Sequence, residues 1–496
     1  MLIMVNNLEI ISQKRTSIVA TIGPASESPE MIAKMLVAGV NVIRINASHN
    51  SEPDSVRQVV QTVRKASIDL QRWVSIFLDL QGPKIRVGVF ENGSAVLKKG
   101  QVYRLVNNPT MKGDSAQAHV SQIVISDCQV GDPVYIDDGK LSLTVIEKNP
   151  DSIVCRVTHG GIIRDKKGVN LPKTELKSGS LTDKDRIDLN LAIENDLDYV
   201  ALSFVQTAKD IDDLRKSLDS RGGHGIRVIA KIERPQAMEN IAAIIDASDA
   251  VMVARGDLGI EIGIDHVPSA QKRIIYECNR RIKPVIVATH MLESLITENT
   301  ATRAEVSDVA NAIYDRCDAV MLSAETAAGH DPIHAVETMR DICITTERNI
   351  EYLRRDNTSM PRFVFATNHR SAATSIVKAA DQIAQENKAR AIMVFTSTGQ
   401  TPLIASKLNT PFPVISVTDN PATMRRLALY RGVIPLMLSK RFANIHRWRD
   451  MIALGIAHAE ACGYITQGDV LVITAGIPIN QAGGINSIRI QTVGEE

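Results

Sequence analysis

The chain has 496 residues, 44% hydrophobic and 23% charged, the profile of a globular protein which, at roughly 150 residues per domain, holds two to four domains. Its 57 basic and 56 acidic side chains leave a formal net charge of +1, so no global field draws it to nucleic acid or a membrane and any anion binding is local. Cys128, Cys155, Cys278, Cys317, Cys343 and Cys462 include no CxxC pair, which argues against a disulfide framework or a zinc site and for a reducing cytoplasm. Met1 to Lys14 lacks the basic start and apolar core of a signal peptide, and no apolar run approaches the ~20 residues of a membrane span.

In chain order, short β-branched runs occur at Thr16–Gly23, Asn41–Ser48, Val74–Leu80, Asp198–Val205, Arg227–Glu233, Ala250–Asp257, Pro284–His290 and Ala319–Glu325. Amphipathic helical stretches separate most of them. Ser28-Pro29-Glu30 and Thr302-Arg-Ala-Glu305 read as helix starts, and Pro235 opens another helix. Eight buried strands alternating with helices predict an α/β fold, a (β/α)8 barrel. An open doubly wound sheet is the rival, but no GxGxxG turn follows the first strand. Between the third and fourth strands, Val87–Phe90, Gln101–Val106, Gln122–Ile125, Pro133–Ile136, Leu141–Ile146 and Ile153–Val157 read as short strands divided by turns. Residues 85–179 are therefore expected to form a small inserted β-barrel domain, hinged at Gly82-Pro83 and Lys177–Ser180. The catalytic barrel takes residues 1–84 and 180–355. Residues 356–496 form a C-terminal α/β domain, with strands at Ala391–Thr396, Pro413–Val417, Val433–Leu438, Asp469–Thr474 and Ile485–Val493.

Polar residues at the C-terminal ends of barrel strands face the active site. Here they include Arg44, Asn46, Ser48 and His49 after strand two, Asp79 to Arg86 after strand three, Lys231 and Glu233, Arg255-Gly256-Asp257, Thr289-His290, and Ser323 to Glu325. Glu233 and Asp257 lie one strand–helix unit apart. Two adjoining carboxylates repel, and a hard divalent cation, Mg²⁺ or Mn²⁺, relieves the repulsion. The alternative is that each caps a helix or pairs with an arginine; Lys231, on the same strand face as Glu233, favours the metal. Arg44 and Arg86, from different strand ends, are expected to converge on an anionic phosphate or carboxylate beside the metal and Lys231; the alternative for each is a surface salt bridge. Gly256 either makes a plain turn or lets a substrate carboxylate approach its amide.

At these residues the chain resembles the pyruvate kinase family: Asp79–Gly88 (DLQGPKIRVG), Ala230–Arg234 (AKIER), Val253–Ile262 (VARGDLGIEI), Val285–Glu298 (VIVATHMLESLITE) and Thr302–Ala328. The resemblance implies phosphoryl transfer from phosphoenolpyruvate to ADP, giving ATP and pyruvate, in a cytoplasmic homotetramer. It assigns Mg²⁺ (or Mn²⁺) to Glu233 and Asp257, charge neutralisation to Lys231, and phosphate binding to Arg44 and Arg86. The substrate carboxylate falls to the amides of Gly256 and Asp257 with Thr289, and a proton route runs near Thr289 and Ser323. Arg86, Lys166, His49 and Asn50 are nucleotide candidates. A monovalent-cation site matches Asn46, Ser48, Asp79 and the Leu80 carbonyl, but Lys84 stands where K⁺-dependent members carry Glu, so K⁺ is expected not to be required. Ala47, Asn50 and His290 are further departures, bearing on substrate affinity. Thr396, Ser397, Thr398, Gly399 and Thr401 resemble the family's effector loop, implying a phosphorylated effector; the facing Gly476–Arg489 segment departs from the usual pattern. Another metal-dependent phosphoenolpyruvate or pyruvate barrel, and a non-catalytic ligand-binding paralogue, are the alternatives.

Overall fold

The β-branched runs do close on one another. The computed structural model describes residues 14–48, 52–177, 179–355, 371–438, 447–477 and 484–495, with 365, 442 and 445. The signal-peptide reading of Met1 to Lys14 therefore falls, but for Lys14, outside the described residues. The first barrel strands are β1 (Ser17–Thr21), β2 (Val42–Asn46) and β3 (Ser75–Asp79). The insertion supplies β4 (Ser94–Leu97), β5 (Val102–Val106), β6 (Gln117–His119), β7 (Pro133–Ile136), β8 (Leu141–Asn149), β9 (Ser152–His159), β10 (Gly161–Arg164) and β11 (Val169–Asn170). The barrel resumes with β12 (Tyr199–Leu202), β13 (Arg227–Ile232), β14 (Ala250–Ala254), β15 (Val285–Ala288) and β16 (Ala319–Leu322). The closed ring runs β1-β16-β15-β14-β13-β12-β3-β2, all parallel, so β3 and β12 are neighbours despite the insertion between them.

The inserted strands form a six-stranded sheet, β11-β7-β8-β9-β5-β6, and a ribbon, β10-β4, around one core that includes Tyr103, Leu105, Val134, Leu143 and Val157. The C-terminal part holds β17 (Ala391–Phe395), β18 (Val414–Thr418), β19 (Val433–Met437), β20 (Val470–Ala475) and β21 (Ser487–Thr492), ordered β19-β18-β17-β20-β21, with only β21 antiparallel.

The anticipated helix starts form as read. Ser28 Oγ accepts from Met31 N at 3.2 Å, and Thr302 and Glu305 exchange both bonds of a capping box. Three readings are corrected. Gln122–Ile125 is not a strand but part of the helix Gln122–Asp127, where Val124, Ile125 and Cys128 are buried at helical spacing; so short an apolar run carries no decisive period. Val87–Phe90 joins no ladder: it makes an isolated bridge at Phe90 and single backbone bonds such as Val87 N to Lys167 O at 2.9 Å and Gly88 N to His119 O at 2.9 Å. The sixth barrel strand stops at Ala254, and Arg255–Ile262 is helical, so Asp257 sits in a first helical turn and not on a strand. Two glycines make that helix intrinsically poor; burial of Leu258 and the bond from Asn170 Nδ2 to Glu261 Oε1 hold it instead.

At the floor of the barrel a fourfold pattern appears. The residue before each even-numbered ring strand is Asn or Asp, and its side chain accepts a backbone amide from the strand before it. Asn41 takes Ile18 N at 3.0 Å, Asp198 takes Ile76 N at 2.8 Å, Asp249 takes Val228 N at 2.9 Å and Asp318 takes Val285 N at 2.8 Å. Cations answer these acceptors, two of them from the C-terminal part: Arg425 Nε reaches Asp198 Oδ1 at 2.6 Å, and Lys407 is paired with Asp318 and bonded to Asn279 Oδ1 at 2.9 Å. Leu429 completes the seal, packing into the interior cluster with Phe77, Tyr199, Ile229 and Met252.

Lys407 and Asp318 are each 2% exposed. Removing one partner of such a buried pair leaves the other charge uncompensated, at about 3–5 kcal/mol. Lys407→Met is expected to lower the thermal unfolding midpoint by several degrees, whereas Lys209→Met, at an 80% exposed lysine, leaves it in place; differential scanning calorimetry decides.

Candidate active site

The period of two that lines the barrel interior continues past the strand ends and builds the site. Ile229 points inward, so Lys231 and Glu233 follow on the same face. Likewise Phe77 is followed by Asp79, Val42 by Arg44, Ala201 by Ser203 and Met321 by Ser323. Five strands thus deliver polar side chains to one mouth.

These groups find one another. Lys231 Nζ lies 3.0 Å from Glu233 Oε1 and 3.2 Å from Asp79 Oδ1, and donates to Ser203 Oγ at 2.6 Å. Arg44 Nε donates to the other Asp79 oxygen at 2.7 Å, and its Nη1 to Thr21 Oγ1 at 3.1 Å. Burial alone would lift the Asp79 carboxyl, but Lys231 and Arg44 outweigh it and hold it below the usual range. Burial would likewise strip Lys231 of its proton, yet Asp79 and Glu233 keep the ammonium charged. Glu233 is the unresolved member. Burial pushes its carboxyl up to about 7, Lys231 opposes this, and Asp257 adds to it.

Glu233 Oε2 accepts Phe204 N at 2.6 Å, but Oε1, like Asp79 Oδ1, is buried with no hydrogen bond. Both lie within ion-pair range of Lys231 but outside hydrogen-bonding angles, since the ammonium aims at Ser203. Three carboxylates here face two cations, an excess of one negative charge. An orphaned carboxylate oxygen beside a second carboxylate, in a site of net negative charge, fits a hard divalent cation. Among the described residues no group of three or more His, Cys, Asp or Glu is placed to hold a metal ion, so an ion here has only the Glu233 and Asp257 carboxylates to draw on.

Asp257 and Gly256 open the helix Arg255–Ile262, whose N-terminal amides form a positive end. Gly256 N donates to Thr289 Oγ1 at 2.8 Å. Thr289 and His290 both adopt left-handed backbone, φ 69° and 52°, which strains a β-branched residue. Arg255 holds that turn: its guanidinium donates to Thr289 O at 2.6 Å and Ala288 O at 3.2 Å, and is itself anchored to Asp308 at 2.5 Å. Ser323 Oγ is buried and unbonded, while its amide donates to Glu325 Oε2 at 2.6 Å.

Arg86 takes a different place from Arg44. It is exposed at the base of the insertion, donating to Lys166 O at 3.1 Å, so these two nucleotide candidates stand together. His49 and Asn50 lie outside the described residues. The Leu80 carbonyl accepts Ser203 Oγ at 2.8 Å, and Asn46 Oδ1 accepts Ser48 N at 3.1 Å. Lys84 is exposed and lines the cleft between insertion and barrel with Asp138 and Asp257. His290 is exposed, its Nε2 3.9 Å from Glu293. In the C-terminal part, Gly399 (φ 86°) turns the chain into the helix Gln400–Lys407, which carries Thr401; Gly399 N donates to Thr396 Oγ1 at 2.9 Å, Gln400 N to Thr398 Oγ1 at 3.4 Å, and Ser397 O accepts Thr423 Oγ1 at 2.8 Å. Most of the facing Gly476–Arg489 segment's centre is outside the described residues. Sequence reasoning missed Thr21 and Ser203, both at strand ends where the same period would have found them, and the part played by Arg255.

An enzyme whose charged site stands at the mouth of a β/α barrel is the class these features define. Comparison with known proteins agrees. The model for the pyruvate kinase barrel domain matches residues 13–336, and that for the pyruvate kinase alpha/beta domain matches residues 374–491. The pyruvate kinase of Staphylococcus haemolyticus is 39% identical over 488 residues, covering 97% of this chain and 81% of its own. That of Methylorubrum extorquens is 40% identical over 484 residues, covering 97% and 98%. A crystal structure of a pyruvate kinase from Cryptosporidium parvum matches with a TM-score of 0.88 at 34% identity, over 98% of this chain and 97% of that one. The chain belongs to the pyruvate kinase family, and it is an enzyme, a glycolytic phosphotransferase. No helix among the described residues is long and apolar enough to cross a membrane.

Because Arg255 fixes the strained turn that carries Thr289, Arg255→Lys should lower kcat/KM for phosphoenolpyruvate by about 100-fold, the effect of a displacement near 1 Å. Steady-state kinetics with intact folding by circular dichroism check this.

Proposed function

We propose that phosphoryl transfer from phosphoenolpyruvate to ADP, giving ATP and pyruvate, is carried out by the charges at this mouth. The observation that supports this most strongly is the Lys231 ammonium between Asp79 and Glu233, beside an unbonded Glu233 oxygen and the helix start at Asp257. Glu233 and Asp257 would hold Mg²⁺ or Mn²⁺, which supplies a Lewis-acid charge for the substrate's oxygens. Lys231 and Arg44 face the phosphoryl oxygens and neutralise charge as it shifts, with Asp79 keeping both cations in place. The amides of Gly256 and Asp257, with the Thr289 hydroxyl, receive the substrate carboxylate. The unbonded Ser323 hydroxyl, with Thr289, passes the proton that the enolate needs. Little covalent work falls to the protein; position and electrostatics suffice for a loose transition state.

Residues 85–179 act as a lid that excludes water, carrying Arg86 and Lys166 to the nucleotide, which His49 and Asn50 also contact. Residues 1–84 and 180–355 form the catalytic domain and 356–496 a regulatory one. There the Thr396–Thr401 loop binds a phosphorylated effector through its helix N-terminus. The working form is a cytoplasmic homotetramer. Lys84 supplies from the cleft rim the positive charge that K⁺ provides in other members, and the Asn46, Ser48, Asp79 and Leu80 positions are already engaged within the protein.

A lactate-dehydrogenase-coupled assay with phosphoenolpyruvate, ADP and Mg²⁺ tests both parts. Turnover is expected, at the same rate in K⁺, Na⁺ or tetramethylammonium. Lys84→Glu should make it K⁺-dependent by about tenfold or more, one ammonium's worth of charge near a phosphate at ~1.4 kcal/mol per tenfold. Absence of turnover sinks the function, and collapse of the parent's rate without K⁺ sinks the role of Lys84.

A further inference from the structure

Both metal-binding carboxylates have a buried charged neighbour that the chemistry above does not use. Arg234 follows Glu233 directly. Glu261 comes four residues after Asp257 in the helix Arg255–Ile262, one turn on. Arg234 is 2% and Glu261 7% exposed, and both grip the same piece of chain, the return from the insertion to the barrel. Arg234 Nη2 donates to Leu171 O at 2.9 Å and Thr174 O at 2.7 Å. Glu261 Oε1 accepts Asn170 Nδ2, at the end of β11, at 3.2 Å.

Between themselves the two charges are not closed. Arg234 Nη2 stands 3.9 Å from Glu261 Oε2, and Arg234 Nε and Glu261 Oε2 are both buried without a hydrogen bond. A cavity of about 60 Å³ adjoins them, lined also by Lys84, Asn170, Leu171 and Asp257. A buried orphan donor on Arg234 Nε and a buried orphan acceptor on Glu261 Oε2 are each costly. A shift of the return segment that loosened its hold on Arg234 Nη2 and Glu261 Oε1 would free the two side chains to close the 3.9 Å gap between Nη2 and Oε2 by about 1 Å, to the ~2.8 Å of a charge-assisted bond.

We propose that Arg234 and Glu261 are positioning residues that couple the seating of the inserted lid to the spacing of Glu233 and Asp257. As the return segment shifts, its hold on Arg234 and Glu261 is passed to the adjoining ligands through one peptide bond and one helical turn. The lid's approach thereby tightens the metal site. The inference rests on Glu233 and Asp257 being the metal ligands, and the test separates the two.

The full-length enzyme is titrated with Mn²⁺, followed by electron paramagnetic resonance, without substrates, and KM for ADP and kcat are measured on the same samples. Glu261→Gln, nearly the same size, is expected to weaken Mn²⁺ by about tenfold or more, as loss of a supporting outer-shell group does, and to raise KM for ADP more than it lowers kcat. A lowered unfolding temperature with Mn²⁺ affinity and KM unchanged would mean a merely structural pair and overturns the proposal. Glu233→Gln, run alongside, should abolish tight Mn²⁺ binding. If it binds as the parent does, the ligand assignment fails; if it loses Mn²⁺ while Glu261→Gln does not, only the coupling fails. Should Glu261→Gln not fold, Asn170→Ala cuts the grip from the lid's side and leaves both charges intact. Weakened Mn²⁺ binding with a raised KM for ADP then supports the coupling, and parent values of both overturn it.

Discussion

A lysine ammonium buried at the mouth of a barrel has to be answered, and the answer organises the site. Lys231 is kept charged by Asp79 and Glu233 and oriented by Ser203. Asp79 has a second cation in Arg44, so its charge is balanced. Glu233 shares Lys231 and is pressed by Asp257, so its charge is not. In a poorly screened setting a unit charge at 3–4 Å is worth several kcal/mol, and the imbalance is a standing demand for another positive ion. The same imbalance leaves the finished site able to hold a multiply charged phosphate ester: with a divalent ion added, the excess negative charge becomes an excess positive one.

The strands transmit position as well as carry residues. Asp198 and Asp318 lie at the floor of β12 and β16, and Ser203 and Ser323 at their tops. Each floor aspartate spans two ring strands and is held by a side chain of the C-terminal part, Arg425 or Lys407. From Asp198 to Ser203 is roughly 17 Å at 3.3 Å per residue. The C-terminal part therefore grips the barrel one strand length from Lys231's hydrogen-bond acceptor, and it plugs the interior with Leu429. Lys407 ends the helix that the Thr396–Gly399 turn begins, so one short helix runs from that turn to the barrel floor.

Much of this is legible in the sequence. The eight strands follow from buried β-branched runs, and the shared face of Lys231 and Glu233 from the period of two along one strand; the meeting of Lys231 with Asp79, which the sequence placed in a monovalent-cation site, appears only in the structure. The resemblance in DLQGPKIRVG and AKIER points to the same residues. What is not legible depends on contacts distant in sequence. Asp257 stands on a helix because Leu258 is buried there and Glu261 accepts a bond from Asn170, against the low propensity of Gly256 and Gly259. The floor pattern of Asn41, Asp198, Asp249 and Asp318 shows only when the ring is closed, since each caps a strand other than its own. The strain at Thr289 and the hold of Arg255 on it are backbone facts that no side-chain pattern announces.

The catalysis proposed for this mouth hangs on the charge of Lys231, and the most direct measurement is the turnover of Lys231→Met with phosphoenolpyruvate, ADP and Mg²⁺ all saturating. Loss of one preorganised charge aimed at the transition state predicts a fall in kcat of about 100- to 1,000-fold, with the variant folded and still binding Mn²⁺ at Glu233 and Asp257. A kcat within a few-fold of the parent's would contradict it.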